Sequence, residues 1–209
     1  MRALIFANGD FQPPPALPEV DLIIAADGGI AHCLKYDLQP NWIIGDLDSS
    51  DPTMLEKFQA NGTRLLTFPQ RKDFTDLELA VCHARSLGVK KIWVLGGLGA
   101  RWDQTLANLL MPAAADFKDI KIIFLDGRQE IHLLHGGASF QLIGDPGDTV
   151  SLIPLLGDAA GVSTKGLEYP LHDDTLIFGG TRGISNVLVN TPAGVTLEKG
   201  LLVVVLIHH

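Results

Sequence analysis

The segment Gly45-Asp46-Leu47-Asp48-Ser49 puts two carboxylates two residues apart on one loop. Both can face one side and share a hard cation such as Mg²⁺. The competing reading is helix capping by Asp48 or Ser49 ahead of Pro52, which accounts for only one of these groups. Asp27-Gly28-Gly29 lets backbone amides approach a ligand at a helix N-terminus, the physical use of glycine beside phosphate, although a tight strand-to-helix turn also explains it. In Lys72-Asp73-Phe74-Thr75-Asp76-Leu77-Glu78 a capping box accounts for Thr75 and Glu78, and the helix dipole favours Asp76. Lys72 and Asp73 lie before the cap and are the better candidates for phosphate and metal contact. Gly96 to Gln104, with Gly97 inside it, is a glycine-rich loop ending in Arg101 and Asp103. The guanidinium can clamp phosphate oxygens bidentately, or it can pair with Asp103 on the surface while Asp103 caps a helix. The histidines have no partner at catalytic or metal spacing, and neither a Walker phosphate loop nor a nucleophile elbow is present.

Each cluster follows a short apolar run of the kind that buried parallel strands show: Val20–Ala26, Trp42–Ile44, Thr63–Phe68 and Lys91–Leu95, with Lys121–Leu125 beyond them. Helical signals lie between the runs. Ile30, Cys33 and Leu34 share a face, Asp51-Pro52 opens a helix, Thr75 to Leu87 is a second with Gly88 as its stop, and a third follows Asp103 with Leu106, Leu109 and Leu110 on one face. Alternating strands and helices imply a parallel sheet, and ligands bind outside the carboxyl ends of its strands. Four polar loops are therefore expected to converge on one crevice.

Near residue 130 the composition changes. Residues 1–130 carry 13 Lys or Arg and 17 Asp or Glu, against 3 and 7 in residues 131–209, so the second part is much poorer in charge. Strand candidates there (139–143, 149–156, 175–178, 184–189, 195–197 and 201–207) are separated by turn residues. The expected organisation is an α/β domain with a parallel sheet over 1–130 and a small antiparallel, sandwich-like β domain over 131–209. Alone, so small a β domain is marginal, which predicts packing against the first domain or against a partner subunit.

Composition also excludes. A net charge of -8 argues against nonspecific nucleic-acid binding. The longest aliphatic run, Leu201–Ile207, falls far short of the roughly 20 residues that cross a bilayer. The first apolar run is too short for a signal peptide, so a soluble cytoplasmic protein is expected. Cys33 and Cys82 sit in helical patterns and are expected to be reduced core residues. His208 and His209 are left out of the functional reading.

The ordered set of Asp27-Gly28-Gly29, Gly45 to Ser49, Lys72 to Glu78, Gly96 to Gln104 and Gly179 to Asn186 closely resembles the thiamine pyrophosphokinases, over about residues 20–205. The resemblance implies Mg²⁺-dependent transfer of a pyrophosphoryl group from ATP to the hydroxyethyl oxygen of thiamine, with attack at the β-phosphorus and release of AMP. It implies that Asp46, Asp48 and Asp73 hold the metal, that one carboxylate receives the hydroxyl proton, and that Arg101 and Lys72 steady the phosphates. Asp27, Gly28, Gly29, Gly97 and Asp103 then shape the nucleotide crevice. The β domain is implied to supply the thiamine pocket through Gly166-Leu167-Glu168-Tyr169 and Thr181 to Asn186, with Tyr169 as an aromatic face and Ser185 and Asn186 as hydrogen-bonding groups, in a homodimer with the vitamin between subunits. Gln104 stands where many bacterial relatives have histidine, and Leu47 where an aromatic is common. Two other classes fit parts of the pattern: a haloacid-dehalogenase-like phosphohydrolase, with Asp46 as nucleophile, and a nonenzymatic nucleotide or thiamine sensor.

Overall fold

A computed structural model describes residues 1–48, 51–99 and 101–209, so Ser49 and Ala100 of the expected site loops lie outside the described residues. The chain divides into two compact units, Met1–Gly127 and Arg128–His209.

The first unit contains six strands: β1 (Arg2–Phe6), β2 (Leu22–Ala26), β3 (Trp42–Gly45), β4 (Arg64–Thr67), β5 (Lys91–Leu95) and β6 (Lys121–Asp126). They lie in the order β6-β5-β1-β2-β3-β4 and every pair is parallel. β1 was not anticipated as a strand. It is nevertheless central, with Ile5 opposite Ile24 of β2 on one side and Val94 of β5 on the other. Sequential strands run outward from β1 in one direction as far as β4, and the chain then returns to β1's other side. That reversal creates a topological switch point at the carboxyl ends of β1 and its neighbours.

Helices α1 (Ile30–Lys35), α2 (Pro52–Ala60), α3 (Asp76–Ser86) and α4 (Trp102–Leu110) make the crossovers. α2 starts where Asp51 accepts the Thr53 amide at 2.9 Å ahead of Pro52, and α3 where Thr75 accepts the Glu78 amide at 3.1 Å. Leu4, Phe6, Ala25, Ile30, Cys33, Ile43 and Phe58 pack into one core. Two expectations are corrected here. In α4 the buried side chains are Thr105 and Asn108, while Leu106 and Leu110 are exposed, because the helix turns its polar face toward the loop before it. Cys82 is exposed on α3, and only Cys33 is a core residue, its thiol pushed up to about 12 by burial.

The second unit holds β7 (Gln129–His135), β8 (Ala138–Leu142), β9 (Thr149–Pro154), β10 (Ala159–Lys165), β11 (Asp174–Leu176), β12 (Asn186–Val187), β13 (Ala193–Leu197) and β14 (Leu201–Ile207). β12-β9-β14-β7 form one antiparallel layer and β11-β10-β13-β8 another. β14 sits between β7 and β9, with Val204 opposite His132 and Leu152, which explains why its apolar run is unbroken. Leu134, Leu152 and Val204 from one layer pack with Leu142, Val162 and Val195 from the other into a single core, the arrangement of a β-sandwich.

Candidate active site

At the switch point of the first unit lies a cleft of about 360 Å³. Its wall is built from the exits of three adjacent strands: Ala7, Asn8 and Gly9 after β1, Asp27 after β2, and Gly96, Gly97 and Gly99 after β5. The far side comes from the starts of two helices, with Thr75, Asp76 and Leu77 at α3 and Arg101, Gln104 and Asn108 at α4.

Close backbone approach makes these exits possible. The Gly9 amide donates to the Gly96 carbonyl at 2.9 Å, and a Cβ on either glycine would press into the other's backbone at 2.5 Å. Side chains on Gly28 or Gly29 would overlap the Asn8 side chain and the Phe6 carbonyl. The glycines of the Asp27 turn are therefore needed to seat it against the β1 exit, a packing demand that exists before any phosphate arrives.

The glycine loop is held from α4. Asn108, buried, donates through Nδ2 to the Gly97 carbonyl at 2.6 Å. The Thr105 hydroxyl accepts the Gly99 amide at 3.0 Å and donates to the Arg101 carbonyl at 3.0 Å. Arg101 lines the cleft from an exposed position, and its guanidinium forks onto Asp103 through Nε at 3.1 Å and Nη2 at 2.5 Å. Asp103 lies within the first turn of α4, and the residue at the cap position is Arg101, whose side chain makes no capping bond. The surface pair is thus present, and a phosphate that Arg101 clamps must share or displace Asp103.

Carboxylates dominate the electrostatics. Asp27 adopts a left-handed φ of 47°, and its Oδ1 is buried with no hydrogen-bond partner. Burial pushes its carboxyl up from the ordinary value; a bond from the Gly28 amide pulls it back, and Asp76, Asp46 and Asp48 push it up again. Three other carboxylates therefore bear on Asp27. On the β3 loop, Leu47 is buried with φ 57°, and the acids to either side are only partly buried or exposed. Asp46 Oδ1 accepts the Asp48 amide at 3.3 Å, and Asp48 Oδ2 accepts from Gln70 at 2.9 Å. Lys72 pairs with Asp76 at 2.9 Å, both side chains mostly buried.

Of the residues expected at this crevice, Asp27, Gly97 and Arg101 line the cleft, and Gly28 and Gly29 form the turn beneath it. Lys72 is tied to the wall through Asp76, which sequence reasoning had assigned to the helix dipole. Asp73 is exposed, and it is not among the acids that shift Asp27. Among the described residues no three His, Cys, Asp or Glu side chains are gathered into a ready-made metal cage, so Asp46, Asp48 and Asp73 do not form one. An all-oxygen donor set beside an unpartnered buried carboxylate oxygen does fit a hard cation completed by substrate phosphates. Asn8, Gly9, Thr105 and Asn108 were missed. Asn8-Gly9-Asp10 after an apolar run is the same signal as the other four loops, and reading Arg2–Phe6 as a strand exposes it.

In the second unit, Tyr169 and Asn186 come together. Tyr169 is 66% exposed, and Asn186 exchanges hydrogen bonds with its backbone: the Tyr169 amide donates to Oδ1 at 3.1 Å and Nδ2 donates to the Tyr169 carbonyl at 2.7 Å. Ser185, at φ 58°, donates its amide to the Ser151 hydroxyl at 3.0 Å, so its side chain stands at the surface. Gly183 lies against the Leu152 carbonyl, where any Cβ would overlap.

The family model for the thiamin pyrophosphokinase catalytic domain matches residues 15–124, and the model for the vitamin B1 binding domain matches residues 138–202. Thiamine pyrophosphokinase of Bacillus subtilis is 27% identical over 188 residues, covering 90% of this chain and 87% of the relative. A rice protein, thiamine pyrophosphokinase 3, is 28% identical over 185 residues, covering 82% and 67%. The crystal structure of the Bacillus subtilis enzyme superimposes with a TM-score of 0.88 at 25% identity and full coverage of both chains. Thiamin pyrophosphokinase from Candida albicans shares the fold, with a TM-score of 0.78 at 18% identity over 99% of this chain and 88% of the other. With the catalytic model spanning more than half of the chain and the vitamin-binding model most of the rest, the chain belongs to the thiamine pyrophosphokinase family.

Proposed function

We propose that the protein transfers a pyrophosphoryl group from ATP to the hydroxyethyl oxygen of thiamine, giving thiamine diphosphate and AMP. The observation that carries this reading is the cleft at the switch point, where glycine-lined backbone, Arg101 and the buried carboxyl of Asp27 meet in a chain of this family. ATP is bound by Asp27, Gly28, Gly29, Gly97, Arg101 and Lys72. The loops after β1, β2 and β5, drawn close together by their glycines, present main-chain groups to a polyphosphate in the cleft. Arg101 grips phosphate oxygens, and Lys72, held by Asp76, adds a second positive charge at the wall.

Asp46, Asp48 and Asp73 are the residues proposed to hold Mg²⁺, with ATP oxygens completing its shell; Mg²⁺ is ordinarily bound through one or two carboxylates plus substrate phosphates. When bound, the ion neutralises polyphosphate charge and acts as a Lewis acid on phosphoryl oxygens. The thiamine hydroxyl oxygen forms a bond to the β-phosphorus as the bond to the α-phosphate oxygen breaks, and a carboxylate of this site takes the hydroxyl proton. Charge develops on oxygens, so positioning and electrostatics supply the catalysis and no protein nucleophile is required. Asp103 keeps the Arg101 fork oriented until phosphate arrives.

Thiamine is held by the second unit through the Tyr169 ring and Ser185, with Asn186 beside them, in a homodimer that places the vitamin between subunits. Exposed apolar side chains at Ile153, Leu156, Ile177, Phe178 and Ile184 favour a partner surface on that unit. Among the described residues no helix is long and apolar enough to cross a membrane. Two free cysteines suit a reducing cytoplasm, which completes the proposed setting.

Incubation with ATP, Mg²⁺ and thiamine, followed by mass spectrometry, tests the reaction. Equimolar thiamine diphosphate and AMP are expected. ADP with free phosphate would instead point to a phosphohydrolase, and unchanged substrates to a binding protein.

A further inference from the structure

Asn186 is spoken for before any ligand arrives. Its backbone lies in β12, paired with Val150 of β9, so the strand's pairing on that side is satisfied. On the other side the chain at 166–169 runs antiparallel to 187–189: Leu167 bridges Leu188, the Glu168 amide donates to the Val187 carbonyl at 2.9 Å, and the Val189 amide donates to the Gly166 carbonyl at 2.9 Å. At the next position the backbone of residue 186 does not continue this pairing. Its side chain does, receiving the Tyr169 amide on Oδ1 at 3.1 Å and returning Nδ2 to the Tyr169 carbonyl at 2.7 Å. In this register 169 and 186 fall opposite each other as a non-hydrogen-bonded pair, so it is the side-chain amide and not the backbone of residue 186 that holds the Tyr169 peptide groups.

We propose that Asn186 is a positioning residue that sets the vitamin-facing aromatic Tyr169, rather than a group that binds thiamine itself. The inference rests on the reading that Tyr169 contacts thiamine. Oδ1 also accepts the Val187 amide at 2.9 Å, so both of its lone pairs are used, and one of the two Nδ2 hydrogens is committed to Tyr169. The orientation of the amide follows from this network, because Oδ1 faces two N–H donors and Nδ2 faces a carbonyl. Tyr169 has an exposed ring, and its backbone is fixed locally by this one side chain. Only an amide of this length serves. Aspartate has the same shape but would present an acceptor to the Tyr169 carbonyl, and glutamine is one methylene too long.

A double-substitution cycle tests the assignment in the full-length protein, reading KM for thiamine, KM for ATP and kcat for the parent, Tyr169→Ala, Asn186→Asp and the double variant. Removing the Tyr169 ring leaves its backbone bonds to Asn186 in place, so the two changes are separable. Each single change is expected to raise the thiamine KM about tenfold with the ATP KM within about twofold, and the double variant to be no worse than Tyr169→Ala alone. Losses that multiply would overturn the proposal, because Asn186 would then be contacting the vitamin directly. If Tyr169→Ala leaves the thiamine KM unchanged, the reading of Tyr169 as a thiamine contact fails, separately from the link between the two residues. Asn186→Ser, which deletes the amide without adding charge, is carried through the same cycle, so that the result does not depend on how one variant folds. If both Asn186 variants match the parent in thiamine KM, the positioning role is refuted.

Discussion

In the first unit the site takes its polar groups from loops beyond strand ends and from helix starts, includes the charged Asp27, Asp76 and Arg101, and leaves one buried carboxylate oxygen of Asp27 without a partner. In the second, the Tyr169 segment is held by neutral hydrogen bonds from Asn186, and the acid best buried there, Asp148, is fully engaged: it accepts from the Asp145 amide at 3.0 Å, from His208 Nδ1 at 2.8 Å and from the His209 amide at 3.0 Å. One unit keeps electrostatic stress that a bound cation can relieve. The other has discharged its stress internally and offers shape. Variants should therefore separate, with charge removal in the first unit costing catalysis and in the second costing stability.

The largest effect expected is on turnover when charge is withdrawn from the β3 loop. Asp46→Asn and Asp48→Asn, and Asp73→Asn after them, should each lower kcat by roughly 10² or more if these carboxylates stabilise the transition state, and a chelator should abolish activity reversibly. Steady-state kinetics with and without added Mg²⁺ measure both. Turnover at the parent rate without a divalent ion would break the contrast at its root.

A smaller loss is expected at Arg101. Arg101→Lys keeps the charge but not the planar fork, and should raise the ATP KM about tenfold, the value of one charge-assisted hydrogen bond of about 1.5 kcal/mol, while the thermal midpoint stays put. Kinetics indistinguishable from the parent would mean that Arg101 serves only its surface pair with Asp103.

Asn108→Leu should cost about 1 to 3 kcal/mol of stability in urea, since the buried Gly97 carbonyl would lose its donor. ATP affinity should fall as well, because the same bond shapes the cleft wall. An unaltered denaturation midpoint would show that the loop holds itself.

The subtlest separation is in pH. Asp27 has its carboxyl raised, first by burial and then by its acidic neighbours. Its stabilising contribution is complete below the unfolded carboxylate range and is lost as pH rises through its folded value. Asp148 is the reverse. Burial raises it, but the bonds from Asp145, His208 and His209 outweigh that and hold it below the ordinary value, so its contribution is present above the unfolded range and fades as pH falls through the folded value. Asp27→Asn should therefore stabilise the protein at neutral pH, and Asp148→Asn should destabilise it. Thermal melts across pH read the two signs, and matching signs would erase the distinction between the units.

Much of the fold could be read from sequence because its punctuation is chemical. Asp51-Pro52 and Thr75 with Glu78 mark helix starts through capping bonds, and the apolar runs at Lys91–Leu95 and Leu201–Ile207 sit between two strand neighbours each. Where pattern and packing diverge, reading fails. β7 mixes His132 and Glu130 into its strand, and β10 is built from small residues around Gly161 at φ 68°, so neither shows a clean apolar alternation. α4 inverts its hydrophobic face because Thr105 and Asn108 are drawn inward by hydrogen bonds to Gly97, Gly99 and Arg101. The positions of Asp27, Gly97 and Arg101 at one cleft follow from the strand-end rule. That Asn8 belongs with them depends on β1 being a strand, and that Asp76 holds Lys72 depends on a contact from the loop before α3 to its first residue, whose side chains could equally have faced water.

The central claim is transfer of the terminal two phosphates as a unit, and it is tested most directly by a single-turnover reaction of the protein with Mg²⁺, thiamine and ATP labelled at the β-phosphorus. The label is expected to leave the nucleotide completely and appear in thiamine diphosphate, with AMP unlabelled. Label retained in ADP, or label trapped as a phosphoryl adduct on Asp46, would contradict the account.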